Sequence, residues 1–272
     1  MTKAVTTALA LALATTTVAL AGRPAATTRA GVGKMTVFPN RVTVATTNDF
    51  TFSFKADSGA LVGQTTLDIS RSWTAPQRSK PGAPGYVEVR HGTCASSTQL
   101  VSLKRRRLLI ATSCPRGDRF QVVYHAAVAP PRASSEGYLF LTQTRPAAGG
   151  RKPKFHPLGF KKQPIIKVRG GQTSSLEIVS TSIASSGVPF SVTVRALDRF
   201  GNNSTGYVGT IALKSTDPTA TMPAPYAYGL ADLSQHTFTG VTLRKPGTQR
   251  LTAIDSHGLT KQGPPITVYA RG

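Results

Sequence analysis

Two runs of alternating side chains constrain this chain more than any other feature. Phe50, Phe52 and Phe54 alternate with Thr51, Ser53 and Lys55, and Phe190, Val192 and Val194 alternate with Ser191, Thr193 and Arg195. Side chains two residues apart share a face only in an extended strand, so each run is a strand with one face to bury and one for water. No stretch of comparable strength repeats at 3.6 residues, and Gly and Pro recur between the runs. The chain therefore reads as all-β, built from short strands.

Further runs group into two antiparallel β-sandwich modules. Residues 33–145 supply Thr36–Phe38, Val42–Val44, Thr65–Ile69, Gly85–His91, Phe120–Val128 and Tyr138–Thr142. Within this module Gln99–Leu103 and Leu108–Thr112 read as a hairpin with Arg105 and Arg106 at its tip, which draws Cys94 and Cys114 toward its base. Residues 172–272 supply a leading run near Leu176, then Gly209–Leu213, His236–Phe238, Val241–Leu243, Gln249–Ile254 and Ile266–Tyr269, enough for a small sandwich. Between the modules, 146–171 carries Arg151, Lys152, Lys154, Lys161, Lys162, Lys167 and Arg169 with no acidic residue, and is broken by four prolines. That composition predicts an exposed, semi-extended basic linker, with Ile165–Val168 as a stretch able to add an edge strand to either neighbour.

Charge narrows the functional classes. Lys and Arg number 33 against 11 Asp and Glu, a net charge of +22 with only 16% charged residues, which argues against a charged coiled coil and for anionic partners. Residues 1–21 hold Lys3, an Ala/Leu stretch and Ala19-Leu20-Ala21, the pattern of a secretory signal peptide, with 22–32 expected as a flexible segment after it. No later stretch has the length and apolarity for transmembrane insertion. The expected location is extracellular, with non-covalent association to a cell wall. In an oxidising compartment Cys94 and Cys114 are expected to form a disulfide. A zinc site would need further ligands, and no Cys-x-x-Cys spacing is present.

The second module carries ordered blocks: Gly187-Val188-Pro189-Phe190, Ala196-x-Asp198-x-Phe200-Gly201-Asn202, Gly206-Tyr207-x-Gly209-Thr210, Ser215-Thr216-Asp217-Pro218, His236-Thr237-Phe238-x-Gly240-Val241 and Gln249-x-Leu251-Thr252-Ala253-x-Asp255. These are similar to the bacterial immunoglobulin-like repeats of secreted and surface proteins. The resemblance implies a spacer, presentation or adhesion module, with the Phe-Gly-Asn piece as a turn between strands and no shared catalytic residue. It departs from the repeats in having a single clear copy. More faintly, Lys34-Met35-Thr36-Val37-x-Pro39, Ser72-Trp73-x-x-Pro76 and Gly85-Tyr86-Val87 resemble a bacterial surface β domain.

The candidate polyanion-binding residues are Lys104, Arg105, Arg106 and Arg107, and a second cluster of Lys161, Lys162, Lys167 and Arg169. Unpaired charge is costly inside a sandwich, so Lys104–Arg107 is expected at an exposed hairpin tip where all four could be replaced by Ser without loss of stability. The expected partners are an anionic cell-wall polymer, an acidic glycan or a surface protein; nucleic acid is less favoured, because no helix-turn-helix or zinc-finger pattern is present. Neither a Gly-x-Ser-x-Gly motif nor a phosphate-binding loop occurs, and the carboxylates are dispersed, so no catalytic residue, cofactor or metal is assigned. Asp198, Asn202 and Asp255 read as turn-capping residues rather than calcium ligands. Trp73 reads as a core plug, and one tyrosine of Tyr226 and Tyr228 as the seal of a sandwich edge. The leading function is a non-catalytic binding or presentation protein. Two alternatives stay open: an accessory or structural subunit of a secreted enzyme or surface assembly, and an extracellular hydrolase or carbohydrate-binding module with its site in the first module.

Overall fold

The computed structural model describes residues 30–147 and 153–271, so the expected leader, most of the segment 22–32, and Arg151 and Lys152 lie outside the described residues. The first hydrophobic core is enclosed by twelve strands: β1 Lys34–Phe38, β2 Arg41–Thr43, β3 Thr47–Lys55, β4 Leu61–Asp68, β5 Val87–Arg90, β6 Gln99–Lys104, β7 Arg107–Cys114, β8 Arg119–Val128, β9 Ser134–Leu139, β10 Thr142–Pro146, β11 His156–Pro157 and β12 Ile165–Arg169. Their sheet orders are β1-β3-β8-β5, β11-β10-β4-β7-β6 and β2-β12-β9. Phe50, Phe52 and Phe54 are fully buried on the inner face of β3. They meet Trp73 edge-on at 5.2 Å, Phe140 at 5.1 Å and Phe120 at 4.9 Å respectively. Trp73 is thus a core plug, as its position before Pro76 suggested.

The hairpin forms as β6 and β7, and Cys94 is bonded to Cys114 across a separation of 20 residues. Both cysteines are buried, Cys114 on the inward face of β7. Cys94 and Thr93 both donate their amides to the carbonyl of Arg119, so the bridge fixes the 91–94 loop against the start of β8.

The segment expected as an exposed linker differs from that expectation. Leu158, Ile166 and Val168 are buried in the first core, and β12 lies in the middle of its sheet, antiparallel to β9 and parallel to β2. Ile166 and Val168 alternate with charged neighbours, and that alternation is enough apolar face to dock a strand. The parallel partner lies more than a hundred residues upstream, where no local signal points to it. At the described end of the N-terminal segment, Gly31 donates to Pro157 O and Val32 to Thr144 Oγ1, which ties these residues to the same region. The run Tyr138–Thr142 also divides, with β9 and β10 in different sheets and buried Phe140 at the crossing between them.

The second core is built from β13 Thr173–Val179, β14 Ile183–Ser185, β15 Phe190–Asp198, β16 Gly209–Ser215, β17 Tyr226–Tyr228, β18 Gln235–Val241, β19 Gly247–Asp255 and β20 Thr260–Tyr269. Sheets β13-β15-β18 and β14-β20-β19-β16-β17 face each other, with β14 crossing to pair parallel with β20. This is an immunoglobulin-like sandwich in which β14 and β17 are added to the expected strands, while the expected runs His236–Phe238 and Val241–Leu243 reduce to the single β18, which ends at Val241. Tyr228 seals its edge, buried and donating its hydroxyl to Val194 O at 2.9 Å. Among the described residues no helix is long and apolar enough to cross a membrane.

Buried carboxylates tie down the loops of this sandwich. Asp198 accepts the amides of Gly171, Phe200 and Asn202 at 2.8, 2.8 and 3.0 Å. Asn202 in turn accepts the amide of Ala133 and donates to Pro131 O, so the Phe-Gly-Asn turn reaches the loop before β9. Asp255 accepts the amides of His257 and Leu259, and Asp217 those of Thr219, Arg244 and Lys245. Burial pushes the Asp217 carboxyl up, but the Lys245 and Arg244 amides and Thr219 outweigh it and hold the group far below the usual carboxylate range. Asp198 is likewise lowered, burial being outweighed by Gly171, Asn202 and Phe200.

Two outcomes test this description. Reducing the Cys94–Cys114 bridge is expected to lower stability by roughly 3 kcal/mol in urea unfolding, from loop-closure entropy; coincident oxidised and reduced curves would remove that contribution. Because the Asp198 and Asp217 carboxyls sit lower in the folded than in the unfolded chain, their stabilisation is complete at neutral pH and is lost as pH falls below about 4. Asp217→Asn is expected to cost about 2 kcal/mol at pH 7 and to flatten the acid limb of stability against pH. An unchanged acid limb would disqualify Asp217 as a contributor.

Candidate functional site

Lys104–Arg107 does form the hairpin tip, but its four residues separate into different roles. Arg105 and Arg106 occupy the two turn positions with φ of 48° and 67°, the left-handed pair that a two-residue hairpin requires. Arg106 then folds back onto the 69–74 loop. Its Nη2 donates to the carbonyls of Ser70, Trp73 and Thr74 at 2.8, 2.6 and 2.7 Å, and its Nε to Ile69 O at 3.2 Å. The Tyr124 hydroxyl donates to the same Thr74 carbonyl. Arg106 is therefore a clamp on the loop that seats Trp73, and the expectation that all four residues are dispensable for stability is corrected. Arg107 makes a two-point pair with Asp68 at 2.6 and 2.7 Å, and the hydrogen bond to Asp68, against burial, raises its pKa. Lys104 and Arg105 are exposed and, among the described residues, in no ion pair.

The second cluster also divides. Lys162 Nζ lies 3.1 Å from Asp57; burial raises that carboxyl, and the hydrogen bond and charge of Lys162 more than reverse the effect. Arg169 lines a depression beside Tyr207, Leu230 and Leu233. Lys161 and Lys167 remain together, on one groove of about 320 Å³ with Lys34 and Arg41, where Glu136 is the only acidic residue. Arg41 and Lys167 are directly paired across the parallel β2/β12 contact.

Lys34 also opens onto a second groove, of about 520 Å³, over the outer face of β1, β3 and β8. Its charged residues are Lys34, Lys55 and Arg119, with Thr36, Ser53 and Gln121 beside them. One wall is the 92–93 loop. Gly92 has φ of +58°, and a Cβ there would sit 2.4 Å from Arg119 O, so only glycine lets the wall come this close. Sequence reasoning missed Lys34, Arg41, Lys55 and Arg119 because they are single charges scattered over 86 positions. The available signal was their place at outward positions of alternating strands.

Elsewhere on the first module, His125, Asp49, Glu88 and Arg90 pair with one another, while buried Thr66 Oγ1 and Trp73 Nε1 have no hydrogen-bond partner among the described residues. His125 Nδ1 faces Asp49 at 3.3 Å and its Nε2 faces Glu88 at 3.6 Å. The Ala126 amide, with help from His125, holds the Asp49 carboxyl below its ordinary value. Glu88 also accepts from Arg90. Among the described residues no three His, Cys, Asp or Glu side chains are grouped to hold a metal ion.

No protein-family model matches the chain, and no curated protein matches it. Solved structures similar to it include FdeC, a broadly conserved Escherichia coli adhesin, with 15% identity and a TM-score of 0.37 over 90% of this chain and 65% of that one. The ICAM-5 D1–D4 ectodomain fragment is similar at 12% identity and a TM-score of 0.29, over 88% of this chain and 53% of that one. Red sea bream transglutaminase is similar at 12% identity and a TM-score of 0.23, over 89% of this chain and 32% of that one. The chain spans less than two thirds of the length of each.

The clamp assignment predicts that Arg106→Gly, which relieves the left-handed backbone, nonetheless lowers stability by about 1–3 kcal/mol through the carbonyls it leaves unpaired. Lys104→Ser is expected to leave the thermal midpoint within error. A stabilised Arg106→Gly variant would show that the turn, not the clamp, is what the residue serves.

Proposed function

We propose that this chain is an exported, non-catalytic surface-binding protein made of two β modules, whose basic face holds anionic polymers. The observation that carries the reading is the convergence of Lys34, Arg41, Lys161 and Lys167 on one groove with a single acidic neighbour, in a chain with a threefold excess of basic over acidic residues. Lys104 and Arg105 at the hairpin tip add a second cationic contact. In this reading the modules meet at Gly170–Gly171, the segment through β12 belongs to the first, and the immunoglobulin-like second module presents it. The hydrogen-bonded polar groups described above serve capping and pairing, and the reading needs no cofactor. The location is extracellular, beside a negatively charged wall or glycan.

The test is retention of the oxidised protein on washed anionic cell walls over a salt series. Retention is expected to be strong at low salt, to fall steeply as salt rises, and to weaken in Lys161→Ser/Lys167→Ser and in Lys104→Ser/Arg105→Ser. Absence of retention at low salt would overturn the reading.

A further inference from the structure

Lys34, Lys55 and Arg119 stand directly opposite one another on β1, β3 and β8, the register pairing Lys34 with Lys55 and Lys55 with Arg119. Opposed residues in an antiparallel sheet hold their Cβ atoms about 4.5–5.5 Å apart, a spacing at which like charges destabilise the pair. Among the described residues none of the three has an ion-pair partner. The adjoining row on the same face is Thr36, Ser53 and Gln121, all neutral, and it ends at Arg90, which Glu88 neutralises. Thus the sheet solves its outer face with neutral or paired side chains except in this row, whose three cations have no ion-pair partner among the described residues.

The row does not end at β1. Lys34 and Thr36 line both grooves, so the cations continue over the edge strand to Arg41, Lys161 and Lys167. We propose that these six cations form one track for a linear phosphodiester polymer with a polyol or sugar backbone, lying across β1. The assignment rests on the surface-binding reading above and gives it a place and a ligand class. Lys supplies four of the six cations, and compact ammonium charges suit singly charged phosphates spaced along a flexible chain. Thr36, Ser53, Thr93 and Gln121 lie beside the first three, where the hydroxyls of the polymer need donors and acceptors. Phe54, the aromatic ring of the first groove, is fully buried, but Phe38 is exposed on the same face of β1 as Lys34 and Phe160 is exposed beside Lys161, so single-stranded nucleic acid, which stacks bases on such rings, is the competing ligand that oligothymidylate tests.

The track is tested with the full oxidised chain and three probes of matched charge: poly(glycerol phosphate), poly-glutamate and oligothymidylate, titrated over a salt series. Lys55→Ser/Arg119→Ser is compared with Lys214→Ser/Lys261→Ser, which removes the same charge from exposed sites of the second sandwich. The wild type is expected to prefer poly(glycerol phosphate). The Lys55/Arg119 variant is expected to bind it at least tenfold more weakly, with the salt slope reduced by roughly 0.7 per cation removed, while the Lys214/Lys261 variant stays within twofold. Without ligand, Lys55→Gln is expected to melt higher than wild type at low salt and alike at high salt. Equal weakening in both double variants, or none in the Lys55/Arg119 variant, overturns the track while leaving surface binding intact. Preference for oligothymidylate or poly-glutamate overturns the ligand class. Failure to bind any of the three at low salt removes the surface-binding reading itself. A Lys55→Gln protein no more stable than wild type overturns the argument from repulsion.

Discussion

The first sandwich rests on the packing of Phe50, Phe52 and Phe54 against Trp73, Phe140 and Phe120. Fully burying one such ring contributes about 1.5–3 kcal/mol, so a row of three on one strand sets which way that strand faces. The consequence reaches the surface. With Phe54 turned inward, Lys55 must point out, and the registers of β1 and β8 then bring Lys34 and Arg119 beside it. A slip of β3 by one residue would turn Lys55 inward, away from Lys34 and Arg119, so the alternation that builds the core also assembles the charged row.

Charged and polar side chains here do much of their work on the backbone. Arg106 satisfies carbonyls of the 69–74 loop, Asp217 amides of the loops around it, and Asp198 the amides of its own turn and of Gly171. Loops in a two-layer sandwich run past sheet ends, where their amides and carbonyls lack strand partners, and a buried unpaired group is costly. A buried carboxylate accepting several amides answers that need, and the same hydrogen bonds keep it ionised. The disulfide serves the same end by another route, holding the 91–94 loop at the rim of the groove.

Much of the strand pattern was legible in the sequence, because alternation is local. Phe50–Phe54, the β6/β7 hairpin, the pairing of Cys94 with Cys114 and the capping role of Asp198 could all be read from residues near one another. Less legible was anything that depended on a distant partner. Ile166 and Val168 looked like an edge at best, since the surrounding prolines and lysines outweighed two apolar residues; their burial comes from docking between β2 and β9. Arg106 looked like its three basic neighbours because composition does not say which guanidinium finds a ring of carbonyls. Lysines adjacent in sequence likewise parted, Lys162 to Asp57 and Lys161 to the groove.

The strongly alternating strands and their inward and outward faces, the excess of positive charge and the disulfide were determined by the sequence alone, since each follows from period, composition or short loop closure. Which cations stand together was decided only by tertiary structure. Lys34, Lys55, Arg119, Arg41, Lys161 and Lys167 come from five strands and a short turn, and their proximity is set by register and by a parallel pairing that closes a loop of more than a hundred residues. Such contacts depend on how whole sheets pack, so they leave no pattern in any single stretch of the chain.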